Sequence, residues 1–181
     1  MKKNNVVLIG MPGCGKSTVG VVLAKLLGFR FLDSDLLIQE REDSLLSEII
    51  ARVGIDGFEA IENTVNSQIT AKKTVIATGG SVVYGREAMA HLKDIALVVY
   101  IRLPFEEIEH RLGDLTKRGV AIRKGQRLID LYNERCPLYE KYADITADGL
   151  DMNISEMALY IRDRVLTYFN EREGGQKDDK R

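Results

Sequence analysis

The nine residues Gly10-Met11-Pro12-Gly13-Cys14-Gly15-Lys16-Ser17-Thr18 follow an apolar run, Val6–Ile9, and match G-x-x-x-x-G-K-[ST] at every fixed position. Glycines let the backbone turn tightly and aim successive N–H groups at phosphate oxygens. A helix starting at Lys16 adds the partial positive charge of its N-terminus. Lys16 suits the β- and γ-phosphates of a nucleotide, and the Ser17 hydroxyl suits Mg2+. Gly13, Cys14, Gly15, Lys16, Ser17 and Thr18 are therefore the candidate nucleotide-binding residues. Thr18 fits either a contact to the α-phosphate or a helix cap, and Cys14 reads as a small space-filling residue rather than a nucleophile.

Two further groups of residues have types that serve phosphoryl transfer. Phe31-Leu32-Asp33-Ser34-Asp35 ends a second apolar run, and residues two apart on a strand project to one side. One carboxylate can hold Mg2+ or its waters while the other accepts a proton from a hydroxyl. A solvated strand end with Asp35 capping the next helix uses the same residues. Thr78-Gly79-Gly80-Ser81 closes a third run, where paired glycines permit close approach of a ligand to the backbone or make a plain tight turn.

The elements that must position these residues are readable as alternating short β-branched runs and helical patterns. Strands are expected at Val6–Ile9, Phe29–Leu32, Thr74–Ala77 and Leu97–Ile101, with a weaker fifth at Ala143–Thr146. Helices are expected over Lys16–Leu27, Asp35–Arg41, Ser44–Val53, Asp56–Thr70, Gly85–Leu92, Phe105–Leu112, Gly125–Tyr142 and Ile154–Phe169, with Gly28 and Gly54 as C-caps. This alternation implies an α/β fold with a parallel sheet covered by helices, which binds ligands at the carboxyl ends of its strands. With 181 residues, 45% of them hydrophobic, the chain suits one domain. Residues 1–170 form that domain, and 171–181, which lack any apolar side chain, are expected to fray as a disordered tail. Lys+Arg 26 against Asp+Glu 27 leaves a net charge of −1, which gives no electrostatic case for nucleic acid as a partner. No run approaches the roughly 18 apolar residues of a membrane span. Two cysteines fit a reducing cytoplasm. His91 and His110 have no second ligand at metal-site spacing.

The phosphate loop, Asp33-x-Asp35, Gly57-Phe58, Gly79-Gly80 and Glu134-Arg135-Cys136-Pro137-Leu138-Tyr139 occur in the order seen in shikimate kinases, and the chain resembles that family over roughly residues 5–165. The resemblance implies a phosphate-loop kinase fold with a five-stranded parallel sheet, a lid at about 113–125 and substrate-binding helices at about 35–70. It implies transfer of the ATP γ-phosphoryl group to a hydroxyl of a small cyclic acid. Independently of the resemblance, the protein is expected to be a cytoplasmic monomer. By it, Asp33 lies near Mg2+, Asp35 holds the acceptor hydroxyls and takes the proton, and Gly79 and Gly80 line the acceptor pocket. Arg135 binds the acceptor carboxylate, and Arg118 closes over the transferring phosphate. The family's lid continues Arg-Pro-Leu-Leu; here it reads Arg118-Gly119-Val120-Ala121.

One departure bears on the acceptor. After Gly-Phe the family carries an arginine that pairs with the substrate carboxylate, and this chain has Glu59. At 4 Å and an effective dielectric of about 20, like-charge repulsion is on the order of 4 kcal/mol. Glu62 shares the same helical face. If that face lines the cleft, a neutral or cationic hydroxyl compound fits better than shikimate. If Glu59 points outward or another arginine fills the gap, shikimate remains the acceptor. A nucleotide-binding module without turnover is the remaining alternative.

Overall fold

The computed structural model describes residues 3–112, 122–123 and 125–178, with side chains described as far as 171. Five strands, β1 (Asn5–Ile9), β2 (Arg30–Asp33), β3 (Thr74–Ala77), β4 (Ala96–Arg102) and β5 (Ile145–Asp148), form one parallel sheet in the order β2-β3-β1-β4-β5. β1, β3 and all but the last residue of β4 are buried, which is why they read as unbroken apolar runs. The register aligns Asp33 with Ala77 and Ala77 with Leu8, so β1, β2 and β3 end at one level.

Among the described residues seven helices flank the sheet: α1 (Lys16–Leu27), α2 (Ser34–Glu42), α3 (Leu46–Ser67), α4 (Arg86–Ile95), α5 (Phe105–Leu112), α6 (Leu128–Tyr142) and α7 (Ile154–Asp178). α1 packs closely on β2, since a Cβ at Gly20 would lie 2.7 Å from the Phe31 ring. α2 and α3 share a small apolar cluster of their own, Ile38, Ile49, Phe58 and Val65. No helix among the described residues is long and apolar enough to cross a membrane.

Several boundaries differ from those expected. The two helices expected on either side of Gly54 are there, meeting at a kink within α3 where Gly54 is non-helical (φ 74°, ψ 178°), and they run from Leu46 and to Ser67 rather than from Ser44 and to Thr70. The fifth strand lies two residues further on: the Asp144 carboxylate accepts from the Val98 N–H and the Asp144 N–H donates to the Val98 carbonyl, so pairing with β4 begins at Ile145. α6 starts at Leu128 rather than Gly125, which has φ 84°. α7 continues to Asp178, through part of the segment expected as a tail, where the sequence offers Glu, Arg, Gln and Lys, which are good helix formers. The lid segment 113–121 with Arg118 lies outside the described residues.

At the amino ends of the strands, buried Asn5 donates to the carbonyls of Ala71 and Ile95 (both 3.0 Å) and accepts from the Thr74 N–H. It joins three parts of the fold through one side chain. Asn5→Ala is expected to cost about 2–4 kcal/mol in urea unfolding, since it orphans three buried backbone groups; a change within 0.5 kcal/mol would show that water takes over these bonds.

Candidate active site

The loop between β1 and α1 is held open by three left-handed glycines, Gly10 (φ 145°), Gly13 (φ 80°) and Gly15 (φ 98°). A Cβ at Gly10 would lie 2.6 Å from the Ile101 carbonyl oxygen. Lys16 lies back across its own loop and donates to the carbonyls of Gly10 (2.9 Å) and Met11 (3.0 Å). Phosphate oxygens would compete for the same ammonium. Cys14 is buried behind the loop, its Sγ 3.8 Å from Lys16 Nζ. Ser17 Oγ donates to Asp33 Oδ2 at 2.6 Å, and Asp33 Oδ1 caps α2 by accepting from the Asp35 N–H (3.0 Å). The cap and the hydroxyl contact fix both ends of the Asp33 carboxylate.

A cavity of about 340 Å³ opens in front of this loop. Gly13, Gly15, Lys16, Ser17 and Thr18 line one side, Gly79, Gly80 and Arg135 another, and Asp35 and Glu62 face them. Asp35 and Glu62 come together at Gly79, where a Cβ would collide with Glu62 Oε1 and lie 2.9 Å from Asp35 Oδ1. Asp35 Oδ1 and Glu62 Oε1 are buried and have no hydrogen-bond partner among the described residues. Burial, reinforced by Asp33 and opposed by Lys16, pushes Asp35 up to about 6. Burial pushes Glu62 further, to about 8; a hydrogen bond from Ser81 works the other way, and Asp35 adds to the rise. At neutral pH Asp35 is an ionised base and Glu62 a neutral acid.

Arg135, on α6, is 1% exposed. Its Nε donates to Tyr84 Oη (3.3 Å) and its guanidinium stacks 5.2 Å from the Tyr84 ring centroid. Tyr84 Oη donates in turn to Glu134 Oε1 (2.7 Å). Tyr139, stacked on Tyr100 at 5.1 Å, donates to the Gly80 carbonyl (2.6 Å) and so pins the glycine pair to α6. A Cβ at Gly80 would fall 2.7 Å from Pro12 and 3.1 Å from Arg135 Nη1.

Glu59 stands apart from the side chains that line the cavity. Its Oε2 is 3.7 Å from Arg123 Nη2, which also contacts Asp56 Oδ1 at 2.7 Å. Burial raises its pKa; Arg123 and Arg135 oppose the rise. Tyr84 and the contact of Arg123 with Glu59 were not marked as site features by the sequence. Tyr84 follows the glycine pair by four residues, but nothing in periodicity or motif distinguishes it. His91 Nε2 donates to the Ile69 carbonyl (2.8 Å), and no group of three potential metal ligands with histidine, cysteine or carboxylate side chains occurs among the described residues.

Residues 12–166 match the model of the family described as shikimate kinase. The chain is 41% identical over 140 residues to a shikimate kinase of Clostridium botulinum, covering 77% of this chain and 84% of that protein. It is 33% identical over 153 residues to shikimate kinase 2 of Yersinia enterocolitica, covering 80% and 86%. Among solved structures, shikimate kinase from Acinetobacter baumannii in complex with shikimate superposes with a TM-score of 0.84 at 32% identity, covering 92% of this chain and 95% of that one. The Aquifex aeolicus shikimate kinase gives 0.73 at 32% identity, covering 87% and 93%.

The state of Glu62 can be read from stability. Its folded pKa of about 8 lies above the usual 4.5, so the folded protein holds a proton that the unfolded chain releases, and stability falls as pH rises between those values. Glu62→Gln removes this loss. Its Tm is expected to exceed the wild type's by several degrees at pH 8, at about 2–4 °C per kcal/mol, with the gap closing toward pH 4.5. A variant less stable than wild type at pH 8 would mean that Glu62 is ionised and paired.

Proposed function

The chain belongs to the shikimate kinase family, small-molecule kinases that transfer phosphate to a hydroxyl, and on that premise we propose that it phosphorylates shikimate with ATP in the cavity between the phosphate loop, Gly79-Gly80 and Arg135. The observation that carries the reading is the shared cavity: Lys16, Ser17 and Thr18 line it together with Asp35 and Arg135. One end offers backbone N–H groups and an ammonium to a polyphosphate. The other offers a carboxylate base to a hydroxyl and a guanidinium to a carboxylate.

In this reading the N–H groups of Gly13 to Thr18 and the Lys16 ammonium hold the phosphates, Lys16 exchanging its carbonyl partners for phosphate oxygens. Asp35 accepts the hydroxyl proton as the acceptor oxygen bonds to the γ-phosphorus and the bond to the departing ADP breaks. Arg135, oriented by Tyr84, holds the acceptor carboxylate so that the hydroxyl faces Asp35. Gly79 and Gly80 let the ring approach the backbone, with Tyr139 fixing their position. Ser17 and Asp33 supply a hydroxyl and a carboxylate 2.6 Å apart, an all-oxygen set that fits Mg2+. When bound, Mg2+ neutralises charge on the phosphates. Arg118, outside the described residues, would add charge stabilisation at the transferring group. The enzyme works as a cytoplasmic monomer on small molecules, and a net charge of −1 gives no electrostatic case for nucleic acid as a partner.

The test is ADP release by the purified protein with MgATP, with and without shikimate. Shikimate-dependent, saturable turnover is expected. Lys16→Ala should abolish it, and Asp35→Asn should lower kcat by roughly 10²–10⁴-fold, the usual contribution of a positioned base. Retained turnover in Lys16→Ala would overturn the assignment of the phosphate loop. Proven ATP binding without shikimate dependence in the wild type would overturn the acceptor.

A further inference from the structure

We propose that Arg123 determines acceptor specificity: its guanidinium waits on Asp56 and Glu59 and transfers to the acceptor's carboxylate when that ligand enters. The inference rests on the reading of the cavity as a site for a carboxylate-bearing hydroxyl compound. Such an acceptor must be held against the two acids of the cavity, Asp35 and Glu62, with Glu59 and Asp56 close outside it. The described cavity lining supplies two cations, Lys16 and Arg135. Lys16 belongs to the phosphate loop, which leaves Arg135 as the lining group that faces a carboxylate.

Arg123 is placed to join it. Glu59 and Glu62 are three residues apart on α3 and share a face. Glu62 reaches the cavity wall at Gly79, and Glu59 lies about one helical turn, roughly 5 Å, before it along the same face of α3, so Arg123 is seated on the turn of α3 next to the one that lines the cavity. Arg135 acts on Glu59 electrostatically, which ties the Glu59 position to the same cavity.

The backbone at Arg123 is also linked to Arg135. The Arg123 N–H donates to Gln126 Oε1 (3.3 Å), and Gln126 Nε2 donates to Glu134 Oε2 (2.9 Å). Glu134 accepts from Tyr84, which accepts from Arg135. A single chain of hydrogen bonds thus carries both guanidinium-bearing residues.

The resting contacts suit an exchange. Both run through one nitrogen, Nη2, and the side chains of Arg123 and Asp56 are 56% and 83% exposed. Exposed pairs of this kind contribute little net stability. A planar carboxylate can instead take two parallel N–H bonds from the guanidinium edge, a shorter and stronger arrangement. Glu59 holds the cation at the mouth without competing strongly for it, since its own carboxylate is drawn toward the neutral form by burial and sits 3.7 Å away.

Steady-state kinetics of four proteins test the proposal. In Arg123→Ala the KM for shikimate should rise roughly 10- to 100-fold, with kcat, the KM for ATP and Tm close to wild type. Arg123→Lys should recover part of the loss, because the charge is kept and the fork is not. Adding Glu59→Arg to Arg123→Ala should restore most of the affinity by returning a guanidinium to the same place. An unchanged shikimate KM in Arg123→Ala, with the wild type active on shikimate, would overturn the role of Arg123 alone. An equal rise in the KM for ATP, or no rescue by Glu59→Arg, would assign Arg123 to structure rather than to the acceptor. A wild type with no shikimate-dependent ADP release would fail the acceptor reading and this proposal with it.

Discussion

The parallel register that sets Asp33 beside Ala77 and Ala77 beside Leu8 is the constraint on which the site depends. Three strands end at one level, so the chain leaving each of them enters the same space. β1 delivers the glycine loop, β2 the two aspartates and β3 the paired glycines. Parallel pairing forces all the carboxyl ends to one edge of the sheet. A slip of one residue in β2 would turn Asp33 away from Ser17 and carry Asp35 off Gly79. The register is secured far from the chemistry, by buried apolar runs in β1, β3 and β4 and by the Asn5 bridge at the opposite edge.

That convergence places like charges in a poor solvent. Asp35 and Glu62 flank a residue that has no side chain, and each carries a buried oxygen without a partner among the described residues. Unmet polar atoms of this kind cost stability and are uncommon in folded proteins. Here they surround the cavity, where a ligand hydroxyl can meet them. The two acids answer burial differently. Asp35, within the influence of the Lys16 charge, remains a base near neutrality, whereas Glu62 keeps its proton. Two carboxyl groups of similar intrinsic acidity thereby come to differ in basicity side by side.

Much of this was legible in the chain. The bounds expected for α1, α5 and β3 coincide with those found, because a glycine stop, a proline start or a dense β-branched run marks each of them. The five-stranded parallel sheet and the phosphate loop were equally readable, since near-continuous apolar runs and a spaced motif are local signals. β5 was misplaced by two residues because Asp144, a polar residue inside the expected strand, turns its carboxylate back to β4 instead of continuing the ladder. Glu134 and Arg135 were marked by their motif, but Tyr84, which joins them, had no signature. It meets them across about 50 residues of sequence, and only the packing of α6 against the turn Val82–Tyr84 brings the three together.

Glu59 shows where residue type and residue role separate. The expected repulsion assumed a bare carboxylate facing the acceptor. In the structure the carboxylate is half-buried beside the cavity, with a guanidinium at 3.7 Å and a second cation, Arg135, acting on it. That attraction opposes the expected repulsion, because Coulomb energy depends on separation and screening and not on which element supplies the charge, and solvent weakens it, since the Arg123 side chain is exposed. Arg123 and Arg135 act on Glu59 against Asp56 and Glu134. An acid in place of an arginine at one position of α3 changes where the positive charge is anchored, on Arg123 and Arg135 rather than on α3 itself.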